Sequence, residues 1–114
     1  MNILVMDELR SRRSQIQEAF AKGKYKVRTC CGSNDFINLI EDSTWDMILL
    51  DVESWNHGKS IYYYFEIGKK LENVPILFYN TSEKFAGIAN RSPNDRDHVL
   101  QKPTEVATIL SMVS

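Results

Sequence analysis

Residues 46–51 read DMILLD, four apolar side chains in a row with an acid at each end. A continuous apolar run of this length is typical of a strand that is buried on both faces of a sheet. Two other segments have the same form. Residues 3–6 read ILVM and stop at the acids Asp7 and Glu8, and residues 76–79 read ILFY. We therefore expect these three segments to be the central strands of one sheet.

The outer strands and the helices show in weaker patterns. Residues 26–30 and the pair Val99 and Leu100 each have the apolar content of a short strand. Apolar residues that recur at spacings of three and four predict helices between the strands. The first of these helices is predicted to end near Lys22, and the second to start at Ser33. The third covers residues 60–71, the fourth lies near residues 85–89 and the fifth begins at Val106. The alternation predicts an α/β fold with a five-stranded parallel sheet flanked by about five helices. If the strand order is 2-1-3-4-5, the first and third strands are neighbours where the order reverses.

Length and composition exclude several classes of protein. The 114 residues are 43% hydrophobic and 25% charged, which fits one globular domain over residues 1–114. A net charge of -1 predicts no direct binding to nucleic acid or to a membrane surface. With neither a membrane span nor a signal peptide in the pattern, the expected location is the cytoplasm, where the adjacent Cys30 and Cys31 would be reduced core thiols. The abrupt end at Ser114 predicts an N-terminal piece of a longer protein.

Polar side chains follow four of the predicted strands at their carboxyl ends. Asp7 and Glu8 end the first strand, Asp51 ends the third, Thr81 ends the fourth and Lys102 ends the fifth. In a parallel sheet these ends share one edge, and ligands collect there where the strand order reverses. Three carboxylates at that point would repel one another unless a cation lay among them. The pattern therefore predicts a site for a hard metal ion such as Mg²⁺.

A lysine and a hydroxyl at the same edge extend this chemistry. Lys102 would supply a positive charge and Thr81 a hydrogen bond to the oxygens of a transferring phosphoryl group. Together with Asp51 as acceptor, they form a set suited to an aspartyl phosphate. The simpler alternative is that acids merely end strands and begin loops, as they often do in α/β folds.

These residues resemble the receiver domains of two-component response regulators, the family that includes the chemotaxis protein CheY. The resemblance covers nearly the whole chain and depends on the pair Asp7-Glu8, on DMILLD ending in Asp51, on ILFYNTS containing Thr81 and on LQKP containing Lys102 and Pro103. It implies a phosphorylation-dependent signalling switch rather than an enzyme.

The resemblance also implies specific partners and roles. Asp51 would accept phosphate from a sensor histidine kinase or a phosphotransfer protein, and an output domain or target protein would respond. Asp7, Glu8 and Asp51, with the main-chain carbonyl of Glu53, would hold Mg²⁺. The peptide bond before Pro103 would be cis. A homodimer is an alternative suggested by the aromatic run at residues 62–65 and not by the resemblance, and singly exposed aromatic side chains are the simpler interpretation of that run.

Several positions depart from the family pattern. The segment VESWNHGK at residues 52–59 lacks the usual Met-Pro and Asp-Gly pairs, and Val99 stands where an aromatic residue is common. These departures leave open a pseudo-receiver, which would act by docking or dimerisation without phosphate. The side chain of Glu53 would ligate metal, contact Lys102 or orient a water molecule. A flavin or nucleotide binder on the same fold is disfavoured, since no Gly-rich phosphate loop follows the first strand.

The first predicted helix carries two further expectations. Its inward-facing positions are predicted to be Leu9, Arg13, Ile16 and Phe20. The cluster of Arg10, Arg12 and Arg13 is interpreted as a solvated helix start, with kinase docking as the alternative.

Overall fold

The structure of the protein, a computed structural model, describes residues 1–54, 74–81 and 97–113. The strands are β1 (Asn2–Met6), β2 (Lys26–Cys30), β3 (Met47–Asp51), β4 (Ile76–Thr81) and β5 (His98–Gln101). The helices are α1 (Arg10–Ala21), α2 (Ser33–Asp42) and α3 (Val106–Val113), and a 3-10 turn at Val52–Ser54 follows β3. The helices predicted over residues 60–71 and near 85–89 lie outside the described residues.

The five strands form one parallel sheet in the order β2-β1-β3-β4-β5, which confirms the predicted order. The reversal falls between β1 and β3, where Met6 pairs with Leu50. The apolar runs of β1, β3 and β4 are buried along almost their whole length because helices cover both faces. This pairing brings the carboxyl ends of β1 and β3 side by side.

Alternation along the strands divides the core into two layers. On one face, Leu50 and Phe78 pack with Phe36 and Ile40 of α2. On the other face, alternate strand residues pack with side chains of α1 and α3, and this layer contains Ile3, Val5, Leu49, Leu77, Tyr79, Ile16, Phe20 and Ile109. Because the side-chain period of a strand is two, each polar residue at a strand end has its face fixed by its position.

Two expectations about burial are corrected. Leu9 precedes α1 and is 49% exposed, so it does not belong to the inward face of that helix. Cys30 is a buried thiol as predicted, whereas Cys31, which follows the last residue of β2, is exposed. Within the described ranges, the structure contains no helix whose length and apolar character suffice to span a membrane.

Candidate functional site

The register of the sheet places two acids and a tyrosine on the face that α1 covers. Asp51 pairs laterally with Tyr79, and Asp7 follows Met6 directly, the residue that pairs with Leu50. Asp7 and Tyr79 are fully buried, and Asp51 is 1% exposed. Carboxylates removed from water to this extent require charged or hydrogen-bonding partners.

Arg12 supplies the cation between these two acids. Its Nη2 lies 2.9 Å from Asp7 Oδ1 and 2.9 Å from Asp51 Oδ2, and its Nε donates to Asp7 Oδ2. The guanidinium therefore makes a two-pronged contact with Asp7 and a single contact with Asp51. The expectation that Arg12 belongs to a solvated helix start is wrong, since its side chain is only 17% exposed.

The position of Arg12 on α1 explains this placement. Arg12 comes four residues before the buried Ile16, which comes four before the buried Phe20. Residues four apart share one face of a helix, so Arg12 lies on the inward stripe at the end nearest the carboxyl edge of the sheet. Its neighbour Arg13 contacts Asp7 differently, because Nη1 of Arg13 donates to the main-chain carbonyl at 2.7 Å.

Neutral donors complete the surroundings of both carboxylates. Tyr79 donates its hydroxyl to Asp7 Oδ2 at 2.6 Å, and the main-chain N–H of Leu9 donates to Asp7 Oδ1 at 2.9 Å. Asp51 Oδ1 accepts from Asn80 Nδ2 at 3.0 Å and from the main-chain N–H of Glu53 at 3.3 Å. The two acids are thus held as hydrogen-bonded carboxylates rather than as bare charges.

The protonation of the surrounding donors follows from these contacts. The hydrogen bonds to Asp7 raise the pKa of Arg12 above its ordinary value, and the negative charges of Asp7 and Asp51 raise it further against the opposing effect of burial. Burial raises the pKa of Tyr79, and the charge of Asp7 and the hydrogen bond to it act in the same direction. Arg12 is therefore a permanent cation, and Tyr79 stays a neutral donor at physiological pH.

Asn80 connects the site to the segment after β5. Its φ of 55° lies in the left-handed region, which Asn tolerates better than most residues. The pairing of β4 with β5 is irregular between Phe78 and Thr81, next to this residue. Asn80 Oδ1 accepts from the main-chain N–H of Thr104, and the Asn80 N–H donates to the Thr104 hydroxyl. The turn in the strand thus leaves the Nδ2 of Asn80 against Asp51.

The two remaining residues of the predicted set make other contacts. Thr81 is fully buried, and its hydroxyl donates to the main-chain carbonyl of Leu100 at 2.9 Å. Lys102 is 57% exposed, and its Nζ lies 3.7 Å from Oε1 of Glu53, which is one of the three roles that the sequence left open for Glu53. The peptide bond between Lys102 and Pro103 is cis, as the resemblance implied.

In this structure the guanidinium of Arg12 occupies the position between the two buried acids that the predicted Mg²⁺ ion would take. A metal there would need oxygen atoms of Asp7 and Asp51 that now accept hydrogen bonds from Arg12. Glu8 is exposed, and within residues 1–54, 74–81 and 97–113 no group of three or more His, Cys, Asp or Glu side chains has the arrangement of a metal site. The ligand set of Asp7, Glu8, Asp51 and Glu53 stays a prediction.

Sequence reasoning missed three residues that contact the acids. The four-residue spacing between Arg12 and Ile16 is a signal that Arg12 faces inward, but the pattern of apolar residues assigned the inward position to Arg13 instead. Tyr79 could have been found from its place in the strand, since it ends an apolar run beside Asp51. Asn80 has no such signal, because the irregular pairing that turns it toward Asp51 does not show in the sequence.

Comparison with known proteins gives a likeness of structure rather than of sequence. No protein-family model matches the chain, and no curated protein matches it. Among solved structures, the chemotaxis response regulator CheY4 of Vibrio cholerae matches with a TM-score of 0.75 and 17% identity, over 98% of this chain and 94% of that one.

Two further structures are similar. A response regulator from Burkholderia pseudomallei, with a phosphorylated aspartic acid, a calcium ion and citrate, has a TM-score of 0.76 at 20% identity, covering 99% of this chain and 66% of that one. A response regulator receiver modulated diguanylate cyclase from Pelobacter carbinolicus has a TM-score of 0.70 at 21% identity, covering 98% and 87%. The chain has the fold of response-regulator receiver domains.

Proposed function

We propose that the chain is a receiver-type signalling domain in which Asp51 accepts a phosphoryl group from a phosphohistidine of a sensor kinase or a phosphotransfer protein. The observation that carries the proposal is the Asp51 carboxylate itself. It is buried at the carboxyl end of a central strand, at the reversal of strand order, with a cation and an amide donor within 3.0 Å. Ligands of open α/β sheets collect at this point.

The chain's own residues supply the chemistry of the transfer. An oxygen of Asp51 attacks phosphorus, the bond from phosphorus to the histidine nitrogen breaks, and that nitrogen takes the electron pair. Arg12 and Asn80 already donate to Asp51, so they are placed to hold negative charge that moves onto phosphoryl oxygens. Lys102 is exposed and bound loosely to Glu53, which leaves it free to turn toward the added group.

The transfer would alter the contacts that hold the site together. A phosphoryl group on Asp51 brings additional negative charge and three acceptor oxygens. Arg12 and Asn80, which now bind the carboxylate, would be drawn to those oxygens, and Asn80 is bonded in turn to Thr104 beyond β5. Phosphorylation would thereby change the surface near the end of β5, where an output domain or target protein in the cytoplasm would respond.

The test is direct. The protein is incubated with a small phosphodonor such as acetyl phosphate, with Mg²⁺ in one arm and a chelator in the other, and its intact mass is measured. We expect the mass of one phosphoryl group on wild type and none on Asp51→Asn. Asp46→Asn is the matched control, since Asp46 is an exposed acid bonded to the N–H of Asn2 at the opposite edge of the sheet. No gain on wild type in either arm refutes phosphoacceptance.

One observation favours the pseudo-receiver as a second candidate. Arg12 satisfies Asp51, Thr81 binds Leu100, and Lys102 contacts Glu53, so each member of the predicted transfer set has another partner. A domain with this closed arrangement would signal through docking or dimerisation. Asp51→Asn would then leave partner binding unchanged, whereas a phosphorylation switch predicts that the same variant stops responding to the phosphodonor.

A further inference from the structure

We infer that Arg12 is the resident cation of the acid site and that it suppresses the binding of divalent metal between Asp7 and Asp51. The inference concerns the same site as the proposed phosphoacceptance, but it is about which cation neutralises the two acids. Arg12, which the sequence pattern placed in a solvated helix start, thereby has a specific role.

The first support is the geometry of a single nitrogen. Arg12 Nη2 is 2.9 Å from an oxygen of Asp7 and 2.9 Å from an oxygen of Asp51. A metal ion that bridged the two acids would have to lie between the same oxygen atoms. The guanidinium and the metal would therefore occupy the same position between the two carboxylates. They exclude each other both by volume and by repulsion between like charges.

The second support is the way in which the guanidinium is held. Arg12 shares the inward stripe of α1 with Ile16 and Phe20, which are buried in the core, so its backbone is fixed by packing. Its Cζ lies 5.6 Å from the centroid of the Tyr79 ring, a distance at which a cation is attracted to an aromatic face. A surface arginine would swing away from an arriving metal at little cost, whereas Arg12 would lose contacts with three buried side chains.

The exclusion has a measurable size. When the occupant of one site alters the affinity of another, the change is typically about 5- to 150-fold, and we take the same range for the guanidinium and the metal. Neutralising Arg12 while keeping its aliphatic stem should therefore tighten divalent metal binding at Asp7 and Asp51 within that range. Arg12→Met meets this requirement, because methionine retains an unbranched apolar stem and carries no charge.

The experiment measures Mn²⁺ affinity of the whole chain by electron paramagnetic resonance, without any phosphodonor. We expect Arg12→Met to bind Mn²⁺ at least about 5-fold more tightly than wild type. Arg13→Met is the matched control and should bind like wild type, since Arg13 donates to the main-chain carbonyl of Asp7 and not to a carboxylate. Adding Asp51→Asn to Arg12→Met should abolish the gain.

Equal Mn²⁺ affinity in wild type and folded Arg12→Met would overturn the inference, and so would an equal gain in Arg13→Met. Should Arg12→Met fail to fold, Arg12→Gln replaces it. Glutamine also removes the charge and its amide can still donate to a carboxylate, so a gain in affinity is again expected, and no gain would again overturn the inference. Because the readout is metal affinity, its failure is distinct from a failure of Asp51 to gain phosphate.

Discussion

The hydroxyl of Tyr79 tests whether Asp7 is held as a buried carboxylate. Tyr79→Phe removes a 2.6 Å hydrogen bond to Asp7 Oδ2 and leaves the ring in place. A hydrogen bond to a charged group contributes about 1.5–3 kcal/mol to stability. Asp7 would keep its contacts with Arg12 and with the N–H of Leu9, so we expect a loss at the lower end, about 1.5–2 kcal/mol, in the free energy of urea unfolding near pH 7.

The pH dependence provides an independent check on the same variant. Burial raises the pKa of Tyr79 in the folded protein, so above its ordinary value of about 10 the unfolded chain loses this proton while the folded chain keeps it. The contribution of Tyr79 is therefore complete below about pH 10 and declines as the pH rises further. The gap between wild type and Tyr79→Phe should narrow over that window.

Tyr25→Phe is the control, because the T-shaped contact between the rings of Tyr25 and Phe20, with centroids 5.1 Å apart, survives the loss of the hydroxyl. Two results would refute the reasoning about Asp7. One is a loss in Tyr79→Phe no larger than that in Tyr25→Phe, and the other is a gap that stays constant through alkaline pH.

Three further predictions concern other parts of the site and its surroundings. Because Asn80 has a φ of 55°, Asn80→Gly should destabilise the protein by about 1 kcal/mol less than Asn80→Ala in urea unfolding, and the reverse order would contradict the backbone assignment. Burial raises the pKa of Cys30 to about 12, so iodoacetamide at about pH 8 should label the exposed Cys31 and spare Cys30 in the native protein, whereas equal labelling would contradict the burial. The pair of Glu53 and Lys102 is half exposed, so Glu53→Gln should change stability by less than about 1 kcal/mol, and a larger effect would show that the pair is buried in solution.

The fold could be predicted because its central strands are recognisable in the sequence as continuous apolar runs. The runs at residues 3–6, 46–51 and 76–79 are buried on both faces, and burial of that kind leaves continuous apolar sequence. The alternation of strands with helices predicted a parallel sheet, whereas the order of its strands followed from the resemblance. Leu9 was misplaced because a spacing of three or four residues does not show where a helix begins.

The acid site could be predicted only in part. Asp7 and Asp51 were found because strand ends in a parallel sheet share an edge. Arg12, which binds both acids, was not predicted. The sequence pattern does not distinguish a long charged side chain on the apolar face of a helix from one that is exposed to solvent. Arg12 and Arg13 are neighbours in sequence, and they contact different atoms of Asp7 because consecutive positions of a helix point in different directions.

The central claim is that the guanidinium of Arg12 lies between two buried carboxylates, and the arginine side-chain Nε–H signals in an NMR spectrum of the metal-free protein test it most directly. We predict one signal that exchanges slowly with water, is absent from Arg12→Lys, and moves when either acid is replaced in Asp7→Asn or Asp51→Asn. The account would be contradicted if the Arg12 signal exchanged as fast as that of an exposed arginine and kept the same chemical shift in Asp7→Asn and Asp51→Asn.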